Sequence, residues 1–186
     1  MRIIAGDNKG CRLFGPTWKG LRPTSDRVRE TLFNVVRNDV VGARFLDGCA
    51  GTGAIGLEAR SRGATSAMFV ECDQRAVALI HQNVEQCGRE NGATSICGQL
   101  PDSLGGSVER PWFDLCVLDP PYEFDTATIS AILTGVQAYL GDGGLIVLER
   151  ARRAAPVEVT GLVSRRCVTS GAVSYTHLTR PTIHLV

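Results

Sequence analysis

The stretch FLDGCAGTGAIG, residues 45 to 56, constrains this chain more than any other. An apolar run stops at an acid, Asp47, and three glycines follow at G-x-G-x-x-G spacing: Gly51, Gly53 and Gly56. A helical pattern, AIGLEARSRG, begins inside the triplet and ends at Gly63. Glycine lets a chain reverse sharply and lets a ligand approach the backbone closely. A buried strand, such a turn and a helix open a βαβ unit, and the alternation continues downstream. TSAMFVE reads as a second strand, and DQRAVALIHQNVEQCG as a helix with Ala76, Ile80, Val84 and Cys87 on one face and a stop at Gly88. ATSICG and FDLCVLD read as third and fourth strands, TATISAILTGVQAYL as a helix interrupted only by Gly135, and GGLIVLER as a fifth strand. Strands that are apolar throughout, alternating with helices, build a parallel sheet covered on both faces. Right-handed crossovers then give a doubly wound α/β fold whose ligands bind at the carboxyl ends of the strands.

The two ends read differently. RIIAG and GCRLFG suggest short strands joined by the turn DNKG. A helix should begin near TSDR, capped by Thr24, Ser25 or Asp26, with Val28, Leu32, Val35 and Val36 as its apolar stripe. Residues 162 to 175, LVSRRCVTS turning into GAVSY, predict a last β-hairpin. Beyond Tyr175 the text THLTRPTIHLV loses clear patterning, and Pro181 argues against a central strand. The expected organisation is one domain over 1–175, with a basic N-terminal extension (1–43) and a core (44–175), and a tail (176–186) foreign to it.

Composition narrows the function classes. The chain has 186 residues, 44% of them apolar, enough for one good core. No apolar run approaches the roughly 18 residues a membrane span needs, and the N-terminus lacks a secretion-signal pattern, so a cytoplasmic protein is expected. Seven cysteines, with no C-x-x-C pair, indicate neither a disulfide framework nor a zinc site; core thiols are the simpler reading, and no metal is expected. Net charge is +1, yet residues 1–44 carry nine Lys/Arg against four acids, +5 in all. A basic arm on a mildly acidic body suits contact with a polyanion, and equally a solvated charged face.

The residue types around the glycine loop point to a nucleotide-like ligand. Glu71 lies 20 residues after Gly51 at the end of the second strand, where an acid can accept hydrogen bonds from ribose hydroxyls. Nicotinamide dinucleotides use this layout, but a carboxylate at Asp47 sits badly beside a pyrophosphate. It suits S-adenosylmethionine, whose amino group and sulfonium are cationic. The fourth strand ends in Asp119-Pro120-Pro121-Tyr122, near the same crevice. Two prolines stiffen the turn and remove two N–H donors. The Asp119 carboxylate and the Pro120 carbonyl remain as acceptors, and Tyr122 offers an aromatic face. Together they suit a planar base carrying an exocyclic amine. Such an amine is a weak nucleophile, because its lone pair is delocalised into the ring; two hydrogen bonds that draw it toward tetrahedral geometry free that pair for attack on a methyl group.

FLDGCAGTGAIGLEARSRGA and VLDPPY, together with MRIIAGDNKGCRL and LRPTSDRVRETLFNVV, resemble the bacterial small-subunit ribosomal RNA guanine-N2 methyltransferases of the RsmD type. The likeness runs from residue 1 to about 150, and more weakly to about 175. The resemblance implies a Rossmann-like sheet of seven strands, the last antiparallel, and methyl transfer from S-adenosylmethionine to N2 of one guanine in 16S rRNA. It implies a small-subunit assembly particle as substrate; the enzyme itself is expected to be a monomer. The resemblance assigns Asp47, Gly51 and Gly53 to the methionine end of the cofactor and Glu71 to its ribose, with Thr52 also among the cofactor-binding residues. It assigns Asp119, Pro120 and Tyr122 to the guanine, Pro121 to the substrate side, and Arg22 with the basic arm to RNA phosphates, which should make binding salt-sensitive. The sequence departs from that family at three places. Cys49 stands where a larger aromatic is common, Gln99 and Leu100 replace the usual acid or amide for the adenine (leaving Gln99 as the candidate), and the tail after Tyr175 does not look like the family's last strand. Other readings are an adenine-N6 methyltransferase, for which the chain has no room for a target-recognition region; a protein glutamine methyltransferase, which typically has Asn in place of Asp119; and a nicotinamide-dependent oxidoreductase or non-catalytic nucleotide-binding module, against which Asp47 and Asp119 argue.

Overall fold

The computed structural model describes residues 1–21, 23–106 and 112–180. Strands β1 (Arg44–Gly48), β2 (Ser66–Glu71), β3 (Ala93–Cys97), β4 (Phe113–Leu118) and β5 (Leu140–Ala151) run parallel. A closing hairpin of β6 (Val163–Ser170) and β7 (Val173–Thr179) completes a seven-stranded sheet of order β3-β2-β1-β4-β5-β7-β6, in which β7 is antiparallel to both neighbours. The helices are α1 (Asp26–Val35), α2 (Ala54–Ser61), α3 (Gln74–Gln86) and α4 (Thr126–Val136). From β1 the chain first builds outward through β2 and β3, then returns to lay β4 and β5 on the other side. The switch point, where an open sheet makes its ligand crevice, therefore falls between β1 and β4.

Alternation along the strands divides the core in two. Phe45, Phe69, Leu115, Val117, Val147 and Tyr175 face α1, α2 and α3, whereas Leu46, Met68, Cys116, Ile146 and Leu148 face α4. Large side chains such as Phe33, Phe45 and Phe69 are fully buried, each worth about 1.5–3 kcal/mol of transfer free energy. The helix expected over DQRAVALIHQNVEQCG is α3, and Ala76, Ile80, Val84 and Cys87 are all buried.

Four expectations need correction. The N-terminal hairpin is reduced to one bridge, Arg2 opposite Arg12, with Ile3 N donating to Cys11 O (2.9 Å) and Gly10 N to Ile3 O (2.9 Å). Side chains of the core hold this arm instead. Glu58 accepts from Ile4 N (2.8 Å) and Ala5 N (3.0 Å), and buried Asn83 accepts from Phe14 N (2.7 Å) while donating to Phe14 O (3.2 Å) and Thr52 O (3.0 Å). Second, Arg29, one of the nine basic residues counted in residues 1–44, does not face solvent. It is fully buried, donates to Arg2 O (2.6 Å) and Asp26 (2.8 Å), and burial lowers its pKa against the pull of Asp26 and Glu58. Third, the seven thiols are all free, but Cys72, Cys97 and Cys167 are exposed.

Fourth, the last strand of the hairpin runs on past Tyr175. Thr176 to Thr179 continue β7 between β5 and β6, with His177, Leu178 and Thr179 buried. Pairing on both edges supplies this segment with backbone hydrogen bonds that its polar side chains did not advertise. His177 enters with a buried Nε2 that has no partner, and burial lowers its pKa.

Candidate active site

Four parallel strands each end an apolar run in an acid: Asp47 on β1, Glu71 on β2, Asp119 just past β4 and Glu149 on β5. Register places them together. Asp47 pairs with Phe69 and Val117, and Leu118 with Leu148, so Asp119 comes level with Glu149. By alternation all four lie on the α1–α2–α3 face, at or near the carboxyl ends of the strands.

The glycine loop is built around two of them. Gly51 and Gly53 take φ 56° and 75°, the left-handed region that glycine enters at no steric cost. Gly56 answers a different need: a Cβ there would stand 2.3 Å from Phe69 Cε1, so only glycine lets α2 pack so close to β2. Asp47, almost fully buried, accepts from Gly56 N (2.7 Å) in the first turn of α2. Its pKa is raised well above the usual carboxylate value by burial, with Asp119 and Glu71 adding to the rise and the Gly56 hydrogen bond opposing it. Glu71 accepts from Gly51 N (2.8 Å) and Asp73 N (2.9 Å), which ties the loop to the end of β2. Thr52 is buried. Cys49 holds φ 62°, strained for a residue with a Cβ, and its thiol is pushed up to about 12 by burial and the surrounding carboxylates.

The Asp-Pro-Pro-Tyr turn closes directly on this loop, with Asp119 N donating to Gly48 O (3.3 Å). The Asp119 carboxylate is largely shielded, and burial raises its pKa. The Thr24 hydroxyl, which donates to Oδ2 at 3.0 Å, pulls it back. Pro120 is buried, whereas Pro121 and Tyr122 project outward, Tyr122 being 61% exposed. Asp47, Gly51, Thr52, Gly53, Glu71 and Asp119 are thus brought to one crevice. Gln99 follows β3, farther along the sheet, and is exposed. Leu100 beside it reaches the loop, since a Cβ at Gly48 would meet its Cδ1 at 2.7 Å. Arg22 lies outside the described residues.

Three residues at the crevice escaped the sequence reading. Thr24 was one of three candidate caps, but Ser25 caps α1, accepting from Val28 N (3.3 Å), and Thr24 turns to Asp119 instead. Glu149 is the penultimate residue of the strand GGLIVLER, and the sequence assigns it no role. It is 5% exposed, its Oε2 has no partner, and burial lifts its pKa to about 8, helped by Asp119 and opposed by the neighbouring Tyr175 hydroxyl. Tyr175 stands opposite Glu149 in register, its hydroxyl donates to Val28 O (3.3 Å), and its own pKa is raised by burial and by Glu149. The available signal was the repeated apolar-apolar-acid strand ending: FLD, FVE, VLD and VLE.

Charge brackets this acidic centre. Residues 45–149 carry five arginines against fourteen acids, −9, while residues 150–186 carry six arginines against one acid, +5, matching the +5 of residues 1–44. A groove of about 400 Å³ between the N-terminal arm and α1 is lined by Arg2, Lys9 and Arg27 together with Asp26 and Glu30. No helix among the described residues is long and apolar enough to cross a membrane.

Residues 1–179 match the family described as Conserved hypothetical protein 95. The chain is similar to ribosomal RNA small subunit methyltransferase D of Haemophilus influenzae, with 34% identity over 177 residues covering 94% of this chain and 91% of that one. Its structure resembles that of the Escherichia coli protein yhhF, at TM-score 0.78 and 31% identity, covering 97% of both chains. It also shares its fold, at TM-score 0.65 and 17% identity, with an RNA methyltransferase of Salinibacter ruber in complex with S-adenosyl-L-homocysteine, covering 86% of this chain and 94% of that one.

Proposed function

The chain belongs to the Conserved hypothetical protein 95 family, and from that premise we propose that it methylates the exocyclic N2 amine of a guanine in 16S rRNA, using S-adenosylmethionine. The observation that carries this reading is the junction of the two motifs: Asp119 N bonds Gly48 O, so the amine-accepting turn and the cofactor loop share one crevice. The residues present fit such a cofactor. Gly51 and Gly53 open the backbone to a close approach, Glu71 offers carboxylate oxygens for the ribose, and the acid cluster around Asp47 favours a cationic ligand. When bound, S-adenosylmethionine supplies an electrophilic sulfonium methyl.

The chain's own groups hold and orient the nucleophile. Asp119 and the Pro120 carbonyl accept the two N–H groups of the target amine, which draws its nitrogen out of conjugation, and Tyr122 lies against the base. The proton lost on methylation passes to Asp119 or to water. The two basic segments flank the acidic centre and meet phosphates, with Arg22 among the contacts. The substrate in this reading is a small-subunit assembly particle in the cytoplasm, and the enzyme works as a monomer.

The test is transfer of tritiated methyl to small-subunit particles lacking the modification, followed by mapping of the labelled base. Asp119→Ala should bind cofactor normally and lose roughly a hundredfold or more in turnover. Full turnover by that variant would remove Asp119 from the chemistry, and label on an adenine would replace guanine N2 as the target.

A further inference from the structure

Thr24 and Asp119 are 95 residues apart in sequence, yet the Thr24 Oγ1 donates to Asp119 Oδ2 at 3.0 Å. The contact is set up by the entry of α1. Ser25 takes the capping role, which leaves the Thr24 hydroxyl free of it. The helix itself is pinned against the closing hairpin by Tyr175 donating to Val28 O and by the Thr31–Ser170 hydroxyl pair at 3.4 Å. Thr24 is therefore held by the N-terminal extension and aimed at the end of β4.

Asp119 needs such a partner. The titratable groups that share its field are Asp47 on β1, Cys49 in the glycine loop, Glu149 on β5 and Tyr175 on β7, all of which become negative on ionising. Burial works in the same direction, against the charged form. A hydroxyl donated to Oδ2 favours the carboxylate and fixes its rotation, leaving the other oxygen to face an incoming amine.

We infer that Thr24 is a positioning residue for methyl transfer: it sets Asp119 as an acceptor of defined orientation and ties that carboxylate to the arm that meets RNA. The inference rests on the function proposed above.

The experiment compares the full chain with Thr24→Val and Thr24→Ser, using tritiated S-adenosylmethionine and particles lacking the modification, with cofactor affinity measured by calorimetry. Thr24→Val should keep cofactor Kd and particle KM within about threefold and lose about tenfold to a hundredfold in kcat, as expected for one hydrogen bond to a charged group. The hydrogen bond lowers the pKa of Asp119, so its loss should move the acid limb of the kcat profile to higher pH. Thr24→Ser should restore both the rate and the limb. Wild-type kcat with an unmoved limb in Thr24→Val would overturn the inference and leave the proposed function standing. So would parallel loss of cofactor affinity and kcat without rescue by serine, which marks a structural role. Absence of transfer by the unsubstituted chain would overturn the proposed function itself, and this inference with it.

Discussion

Replacing Glu149 by Gln should remove a pH dependence from the stability of this fold. Glu149 sits at the end of β5 with Oε2 buried and unpartnered, and burial lifts its carboxyl to about 8, from 4.5 in the unfolded chain. Between those values the folded chain keeps a proton that the unfolded chain has released. Stability therefore falls as pH rises through this window, by about 1.4 kcal/mol per pH unit for one proton, and levels off above about 8. The whole window is worth on the order of 5 kcal/mol. Gln has the same shape and no proton to lose, so Glu149→Gln should lack that slope; groups distant from Glu149 cancel in the difference, and Asp119 and Tyr175, which share its field, are the ones whose titration the substitution also shifts. Urea unfolding followed by circular dichroism at pH 5.5 and 7.5 should show the variant gaining on the parent by roughly 2–3 kcal/mol over that interval, whatever the offset at pH 5.5. A difference that does not change with pH would mean that Glu149 is ionised in the fold, and the reasoning from its burial and its orphan oxygen would fail.

Other perturbations probe the loop. Gly56→Ala places a Cβ 2.3 Å from Phe69 Cε1, a clash with a buried ring that should cost about 1–3 kcal/mol, partly offset by the better helix propensity of alanine. A Tm lowered by several degrees is the expected reading, and an unchanged Tm would show that β2 can move aside. Glu71→Ala removes the acceptor of both Gly51 N and Asp73 N, so calorimetry should show S-adenosylmethionine binding weakened by about tenfold or more. Unchanged affinity would misplace the ribose.

Much of the fold is written locally. The strand–glycine–helix junction at 45–56, the apolar strands and the 3.6-residue stripe of α3 are each set by neighbours in sequence, so their periodicity is readable directly. The positions of Asp47, Gly51, Gly53 and Glu71 follow from those elements, because residues at the carboxyl ends of adjacent parallel strands converge whatever else the chain does. Where the reading failed, the cause was an interaction between distant segments. Thr176 to Thr179 look unlike a strand because Thr and His carry little apolar signal, and it is pairing with β5 and β6 on both edges that makes them one. Arg29 looks like a surface cation, yet it is buried, with its guanidinium bonded to Arg2 O of the N-terminal arm.

The sequence by itself determined a parallel α/β sheet with a glycine loop, an acid-proline-proline-tyrosine turn and a basic arm. It did so because strand, helix and turn preferences act within a few residues. Only the tertiary structure decided how the arm and the turn meet. Thr24 belongs to an extension that adds nothing to the sheet, and Glu149 sits on a strand whose neighbour in the sheet comes from 30 residues earlier in the chain. The hydrogen bond on Asp119 and the proton on Glu149 are products of burial and close approach, which exist only once the strands have been brought side by side.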